Sequence, residues 1–421
     1  MNQFMAGEVS ASLWHNRAFL RLWIADVLSK SGSQITAVAL PLTAVLVLEA
    51  TPGQMGLLGV AGSLPNLLFG LFTGVWVDRM RRSPILVGAD LGRALLLGSI
   101  PVAALLGYLT FTHLVLVVFA TATLSIFFIL AAVSILPSLV EEEKLVEANG
   151  KLAISGSVLG VAGPGVAGGL IQIMSAPIAI AVDALSYLLS ALSLSGISAS
   201  ETPLREKETR GNIWREIGEG IRELIRTRIL QILTLAACAG TLGGGIIGTV
   251  LVLFLTHDLG LTPATIGIVF AFSGVGSVVG ASLAGPTGHR IGIGPAVILS
   301  SLIWTLGYLV IPLAGLTRQN FLFVAAGQVL IGIGAAIWSV NQMSLRQSLT
   351  PVGLFGRATA ARRFLIFGLA TVGAALGGLL GEVIGLRATL VVGALIVGMG
   401  VPPVLFSPVR HVHRLADVSK I

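Results

Sequence analysis

Few side chains in this sequence could do acid–base or ionic work away from its loops. Asp26 and Lys30 stand four residues apart in a long, mostly apolar stretch. On a helix that spacing stacks them on one face, where they can pair and reduce the cost of burial. If Asp26 instead faces a central cavity, it is a carboxylate able to take up and release a proton, with Gln34 two turns on as a polar contact for a ligand. Asp183, beside Ser186 and Tyr187, is the other isolated carboxylate. It serves equally well for proton coupling, for substrate contact or for hydrogen bonding between helices. Asp90 and Arg93, three residues apart near the start of another apolar run, read as an ion pair close to a loop.

The elements that must position these groups are membrane spans. The chain of 421 residues is 55% hydrophobic and 11% charged, with a mean hydropathy of +0.94, whereas soluble domains carry about 25% charged residues. A helix needs about 20 mostly apolar residues to cross a bilayer. Reading between charged or Pro/Gly-rich breaks places spans at 19–48, 54–77, 84–107, 112–136, 150–174 and 177–198, then at 229–256, 264–286, 293–316, 321–345, 362–385 and 388–407. An even number of spans leaves both ends on one side. With that side cytoplasmic, Lys and Arg gather there, apart from Arg318 and Arg387 opposite and Lys30 within a span. The expected protein is therefore all-α and inserted in the cell inner membrane, with twelve transmembrane helices and both termini cytoplasmic.

The sequence also repeats at an offset of about 210 residues. TPGQMGLLGV…GVWVDRM matches TPATIGIVFA…GPTGHRI, pairing Thr51 with Thr262, Pro52 with Pro263, Gly56 with Gly267, Gly74 with Gly285 and Arg79 with Arg290. Gly168-Gly169-Leu170 likewise matches Gly377-Gly378-Leu379. Two six-helix bundles follow, with residues 1–198 as the first unit, 229–421 as the second and 199–228 as the linker. The linker's WREIGEGIRELIRTR pattern reads as an amphipathic cytoplasmic helix beside the membrane. Parallel repeats of this kind place a substrate site near the midplane between the halves, reached alternately from either side.

Other chemistries find little support. The histidines at 15, 113, 257, 289, 411 and 413 do not cluster within the spans, so no metal site or membrane enzyme is expected. No GxxxxGK[ST] loop is present to hold a nucleotide, and no cofactor is expected. Cys238 is the single cysteine, which excludes an internal disulfide. The net charge of +7 sits in short loops rather than on one soluble face, a topological signal and not a nucleic-acid surface. The first apolar segment is too long and too charged for a cleaved leader and reads as a retained helix.

The loop after the second span runs Gly74-Val-Trp-Val-Asp78-Arg79-Met-Arg81-Arg82. It resembles the signature loop of the major facilitator superfamily. That resemblance implies a gate in which Asp78 caps a neighbouring helix and Arg79 and Arg82 pair with carboxylates at the cytoplasmic rim, with Asp90 and Arg93 nearby. Arg81 and Arg82 serve equally as topology anchors. In the second half His289 replaces the acidic member, so the gate would be asymmetric.

The fifth span carries Gly160, Gly163, Pro164, Gly168 and Gly169, similar to the motif of the family's proton-coupled antiporters. A kinked, closely packed helix is the plainer reading of the same residues. The stretches ADLGRALLLGSIP, SLVEEEKLVEANGKL and VDALSYLLSAL resemble the branch that holds macrolide efflux proteins and the enterobactin exporter. A departure is that Ala120 to Leu136 holds no basic residue where many drug–proton antiporters place an arginine. The resemblance implies a monomeric secondary transporter that exports a hydrophobic or amphiphilic small molecule, with protons as the coupling ion. Import or facilitated passage of a metabolite is the alternative on the same fold.

Overall fold

The computed structural model describes residues 13–70, 73, 76, 77, 80–197, 213–316 and 319–414. Twelve long helices dominate. The first six are α1 (Arg17–Leu46), α2 (Pro52–Phe69), α3 (Arg82–Leu105), α4 (Phe111–Leu139), α5 (Leu145–Met174) and α6 (Ala176–Ser195). After α7 (Ile213–Arg226) come α8 (Arg228–Leu253), α9 (Pro263–Ile291), α10 (Ile293–Val310), α11 (Asn320–Leu349), α12 (Val352–Ile384), α13 (Leu386–Gly398) and the short α14 (Val401–Leu405). The described residues contain no strand, as expected where lipid offers the backbone no hydrogen-bond partner.

Ten of these helices are long and apolar enough to cross a membrane on length and composition alone, the last span running through α13 and α14 to Leu405. The two others of the twelve are α1 and α2. The first carries Asp26, Lys30 and Gln34, and the second Gln54 and Asn66, which lower their hydropathy. The repeat seen in sequence is a local structural repeat too. Thr51 caps α2 by accepting from Gln54 N, and Thr262 caps α9 by accepting from Thr265 N, each with proline as the first helical residue.

Within the first bundle α1 packs on α5 and α6, and α3 on α4 and α6; in the second, α8 packs on α12 and α13, and α11 on α9 and α10. Two seams join the bundles, α2 against α12 and α5 against α9. Both seams use glycine for close approach. A Cβ on Gly56 would lie 2.9 Å from Gly378 Cα, and one on Gly168 would lie 2.8 Å from Gly267 Cα. In lipid, where apolar contact between helices gains little over contact with acyl chains, such backbone proximity supplies the packing energy.

Two expectations change. The eleventh span begins at Val352, not 362, because Arg357, Arg362 and Arg363 interrupt the apolar run in sequence without interrupting the helix. The linker helix α7 does not merely lie beside the membrane. Leu224 packs on Ala358, Ala361 and Leu365 of α12, and Arg357 pairs with Glu219 at 2.6 Å. The rest of the linker, 199–212, lies outside the described residues, as do Gly74, Asp78, Arg79 and Arg318.

Candidate functional site

Helix α1 is the least lipid-like of the spans over Ser29-Lys30-Ser31-Gly32-Ser33-Gln34-Ile35-Thr36. These polar residues turn inward, where α3, α5 and α6 answer them. Asp26 and Lys30 do form an ion pair, at 2.7 Å. The side chains remain 18% and 44% exposed respectively, so protein does not seal the pair. Lys30 extends toward α5, its Nζ 3.6 Å from where a Cβ on Gly156 would stand. Further along, Gln34 lies against Gly163: a Cβ there would come within 2.6 Å of Gln34 Cβ and Cγ. Gly163 therefore makes room for a polar side chain of the same bundle.

A second polar group lies deeper and is closed to water. Asp183 of α6 is fully buried and accepts from Thr36 Oγ1 and from Ser186 Oγ. Next to it Ser33 and Tyr187 share a hydroxyl–hydroxyl bond of 2.8 Å. The Arg93 guanidinium stacks 4.2 Å from the centroids of both Tyr187 and Phe128. Arg93 pairs with Asp90, whose other carboxylate oxygen accepts from Ser190 Oγ at 2.5 Å. Ser190 Oγ also reaches Ala25 O at 3.2 Å. A chain of contacts thus runs from Thr36 through Asp183, Tyr187 and Arg93 to Asp90, tying α1, α3 and α6 together. The guanidinium pairs with Asp90 and stacks on Tyr187, which neighbours Asp183 one turn along α6.

This placement corrects the expectation that Asp90 and Arg93 belong to a gate at the rim. They are 0% and 3% exposed and lie eight and eleven residues into α3, about 12 and 16 Å along its axis. Proximity to a loop in sequence did not translate into proximity to the surface. Arg82, the remaining described gate residue, opens α3 and is buried.

The α5 motif divides by direction. Gly168 meets Gly267 and Pro263 O of α9, the Pro164 carbonyl meets Gly267, and Gly160 O lies 2.6 Å from a Cβ position on Gly274. Gly163 faces Gln34, whereas a Cβ on Gly169 would meet nothing within 4 Å. Most of the motif therefore forms the seam itself. The companion seam runs from Pro52 and Gly381 through Ser63 and Thr371, bonded at 2.9 Å, to Leu67 and Gly368. Beyond these contacts, toward the face that carries the chain ends, Gly150, Gly285, Gly353 and Gly356 have open space beside them. The glycine contacts that close the two seams thus lie toward the far side.

A link across the closed end had no sequence signal. Glu382 of α12, an exposed residue, accepts from Thr51 Oγ1 at 2.8 Å and from Gly53 N at 3.0 Å. A carboxylate of one bundle thus completes the N-terminal cap of a helix in the other, where the helix dipole favours negative charge. Among the described residues no group of three His, Cys, Asp or Glu side chains could hold a metal ion.

Helices of this number, order and seam arrangement recur in solved transporters. A mutant of the nucleoside transporter NupG superposes with a TM-score of 0.79 at 11% identity, covering 93% of this chain and 100% of the other. A bacterial homologue of the iron transporter ferroportin, in an inward-facing state, gives 0.74 at 17% identity over 92% and 98%. In sequence, Macrolide efflux protein A of Streptococcus pyogenes is 25% identical over 404 residues, 93% of this chain and 96% of the relative. Macrolide efflux protein A of Enterococcus faecalis is 26% identical over 308 residues, 71% and 92% of the two chains. The family described as "Transmembrane secretion effector" matches residues 10–420. With nearly the whole chain matched, this protein belongs to that family, a member of the major facilitator superfamily of membrane transporters rather than an enzyme.

Proposed function

We propose that this chain exports a hydrophobic or amphiphilic small molecule, drug-like or siderophore-like, in exchange for protons, by alternating access. The observation that carries this reading is the Asp26–Lys30 pair, an ionisable couple in a span, only partly covered by protein, beside α5. An exposed carboxylate in a span can exchange a proton with the open side, and its protonation releases the Lys30 ammonium from its partner. Asp183 is the second coupling candidate. It is out of reach of water in this state, yet it sits in a network with one carboxylate more than its guanidinium balances. Kinship with proteins named for macrolide efflux supports the outward direction.

In this reading residues 1–198 and 229–421 are the rocking units of a monomer and 199–228 is the strap between them. The terminal face is cytoplasmic, in the bacterial inner membrane. Closing it requires opening the far end, which breaks the Glu382 cap and parts the glycine seams. Asp78 and Arg79 would hold the cytoplasmic gate in the alternate state, as the signature loop implies.

The test is substrate-driven proton movement in proteoliposomes loaded with a pH dye, across macrolides, dyes and siderophores. Asp26→Asn and Asp183→Asn are compared with the unaltered protein. Proton flux that accompanies export and disappears in either variant is the expected result. Export without proton movement would remove the coupling claim, and substrate accumulation instead of extrusion would reverse the direction.

A further inference from the structure

The second bundle holds its charge differently. From Arg228 to Arg414 the carboxylates are Asp258 and Glu382 alone, both at helix ends on the closed face. Toward the open face stand Arg346 on α11 and Arg362 and Arg363 on α12. Arg346 is 4% exposed. It donates to Thr359 Oγ1 across to α12 at 3.0 Å, and its guanidinium stands 5.7 Å from the Phe355 ring centroid. Arg362 lies ten residues into α12, about 15 Å along the helix. Its Nε is buried and has no hydrogen-bond partner. The charged group that acts on it is Arg346, and the Cys238 thiol of α8 is its other ionisable neighbour.

Topology does not account for this arrangement. A basic residue that anchors a span reaches the interface, whereas Arg362 has turned its Nε inward. Among the described residues neither guanidinium is paired with a carboxylate, so the two repel and each carries a desolvation cost. An oxyanion would relieve both, and guanidinium is the cation best shaped to bind one, through paired N–H donors. Past Arg362, α12 continues Leu365-Ile366-Phe367-Gly368-Leu369-Ala370 without a polar side chain.

We propose that Arg346 and Arg362, with Thr359 beside them, bind the oxyanionic head of the transported molecule, so that the substrate is an amphiphilic carboxylate or similar anion with an apolar body. This rests on the export reading for its physiological meaning but not for its test. Arg362 makes the direct contact, and Arg346 both contacts the anion and holds Thr359.

Binding of 11-(dansylamino)undecanoate to purified protein, read by dansyl fluorescence, is compared with binding of its methyl ester. The acid should bind about tenfold more tightly than the ester, equivalent to about 1.4 kcal/mol. Arg362→Ala should erase that preference while leaving ester binding unchanged, and Arg362→Lys should restore part of it. Equal binding of acid and ester, or a preference untouched by Arg346→Ala and Arg362→Ala variants of normal thermal stability, would overturn the proposal. Adding phosphatidylglycerol to phosphatidylcholine nanodiscs separates the remaining source of such a head group. Complete displacement of the acid by phosphatidylglycerol would assign the arginines to lipid and sink the substrate claim. In proteoliposomes, erythromycin export without dansyl-acid export leaves the export reading standing and overturns this one. Arginine-dependent acid binding with no export of either compound supports the site and removes the export reading.

Discussion

The two bundles share a backbone plan but not a charge plan. In the first, Asp90, Asp183 and Arg93 are buried together and hydrogen-bonded on several sides. In the second, Arg346 lies in the last turn of α11 and Arg362 ten residues into α12, and among the described residues neither is paired with a carboxylate. Duplication preserved what packing needs, as the matched caps at Thr51 and Thr262 and the paired glycines at the two seams show. It left free what chemistry needs. An internally satisfied network can serve structure or proton handling without a ligand, whereas an unbalanced pair of cations is complete only with something bound.

The largest expected effect breaks the balanced side of this comparison. Asp90→Ala leaves Arg93 buried without its partner and should destabilise the detergent-solubilised protein by about 3–5 kcal/mol, read as a fall in thermal midpoint. Arg362→Ala should cost little or raise stability, since it removes a repelled charge. If both changes destabilise equally, the contrast between the bundles is illusory. Next in size, Gly267→Leu forces α5 and α9 apart where Pro164 O and Gly168 approach most closely. Transport should drop by more than about tenfold, because the closed end can no longer form. Smaller again is Glu382→Gln, which weakens an exposed link by about 0.5 kcal/mol. It should favour the state open at the far end and slow maleimide labelling of Cys238, the single thiol, from the terminal side. Asp26→Asn should change stability least, by under about 1 kcal/mol, because the pair is only partly covered by protein, while changing proton movement most.

Much of this was legible in the sequence. Apolar run length pointed to the long helices, the offset repeat to the matched caps of α2 and α9, and the glycines of α5 to close helix packing. What could not be read were relations of depth and of distance along the chain. Asp90 and Arg93 looked like rim residues because they follow a loop, yet one turn of helix moves a side chain about 5.4 Å, and two to three turns reached the interior. Arg357 looked like part of a basic loop and Arg362 like the first residue of a span, because hydropathy counts charge and not helical continuity. Thr36, Ser33 and Ser190 carried a weak signal, a polar run inside a span, but their partners lie on α6, α3 and α1 and no spacing rule links them. Glu382 and Thr51 are 331 residues apart, which no local pattern spans.

That last pair bears on how the protein is made. The start of α2 has a backbone N–H, that of Gly53, whose acceptor is synthesised only when the chain reaches residue 382. At about 5–20 residues per second, 331 residues correspond to roughly 17–66 seconds of translation during which the first bundle sits in the bilayer with that cap unfinished. Biogenesis of the first bundle is therefore complete only when the penultimate span arrives, and a ribosome stalled before residue 382 would leave a half-protein whose second helix has a frayed entrance.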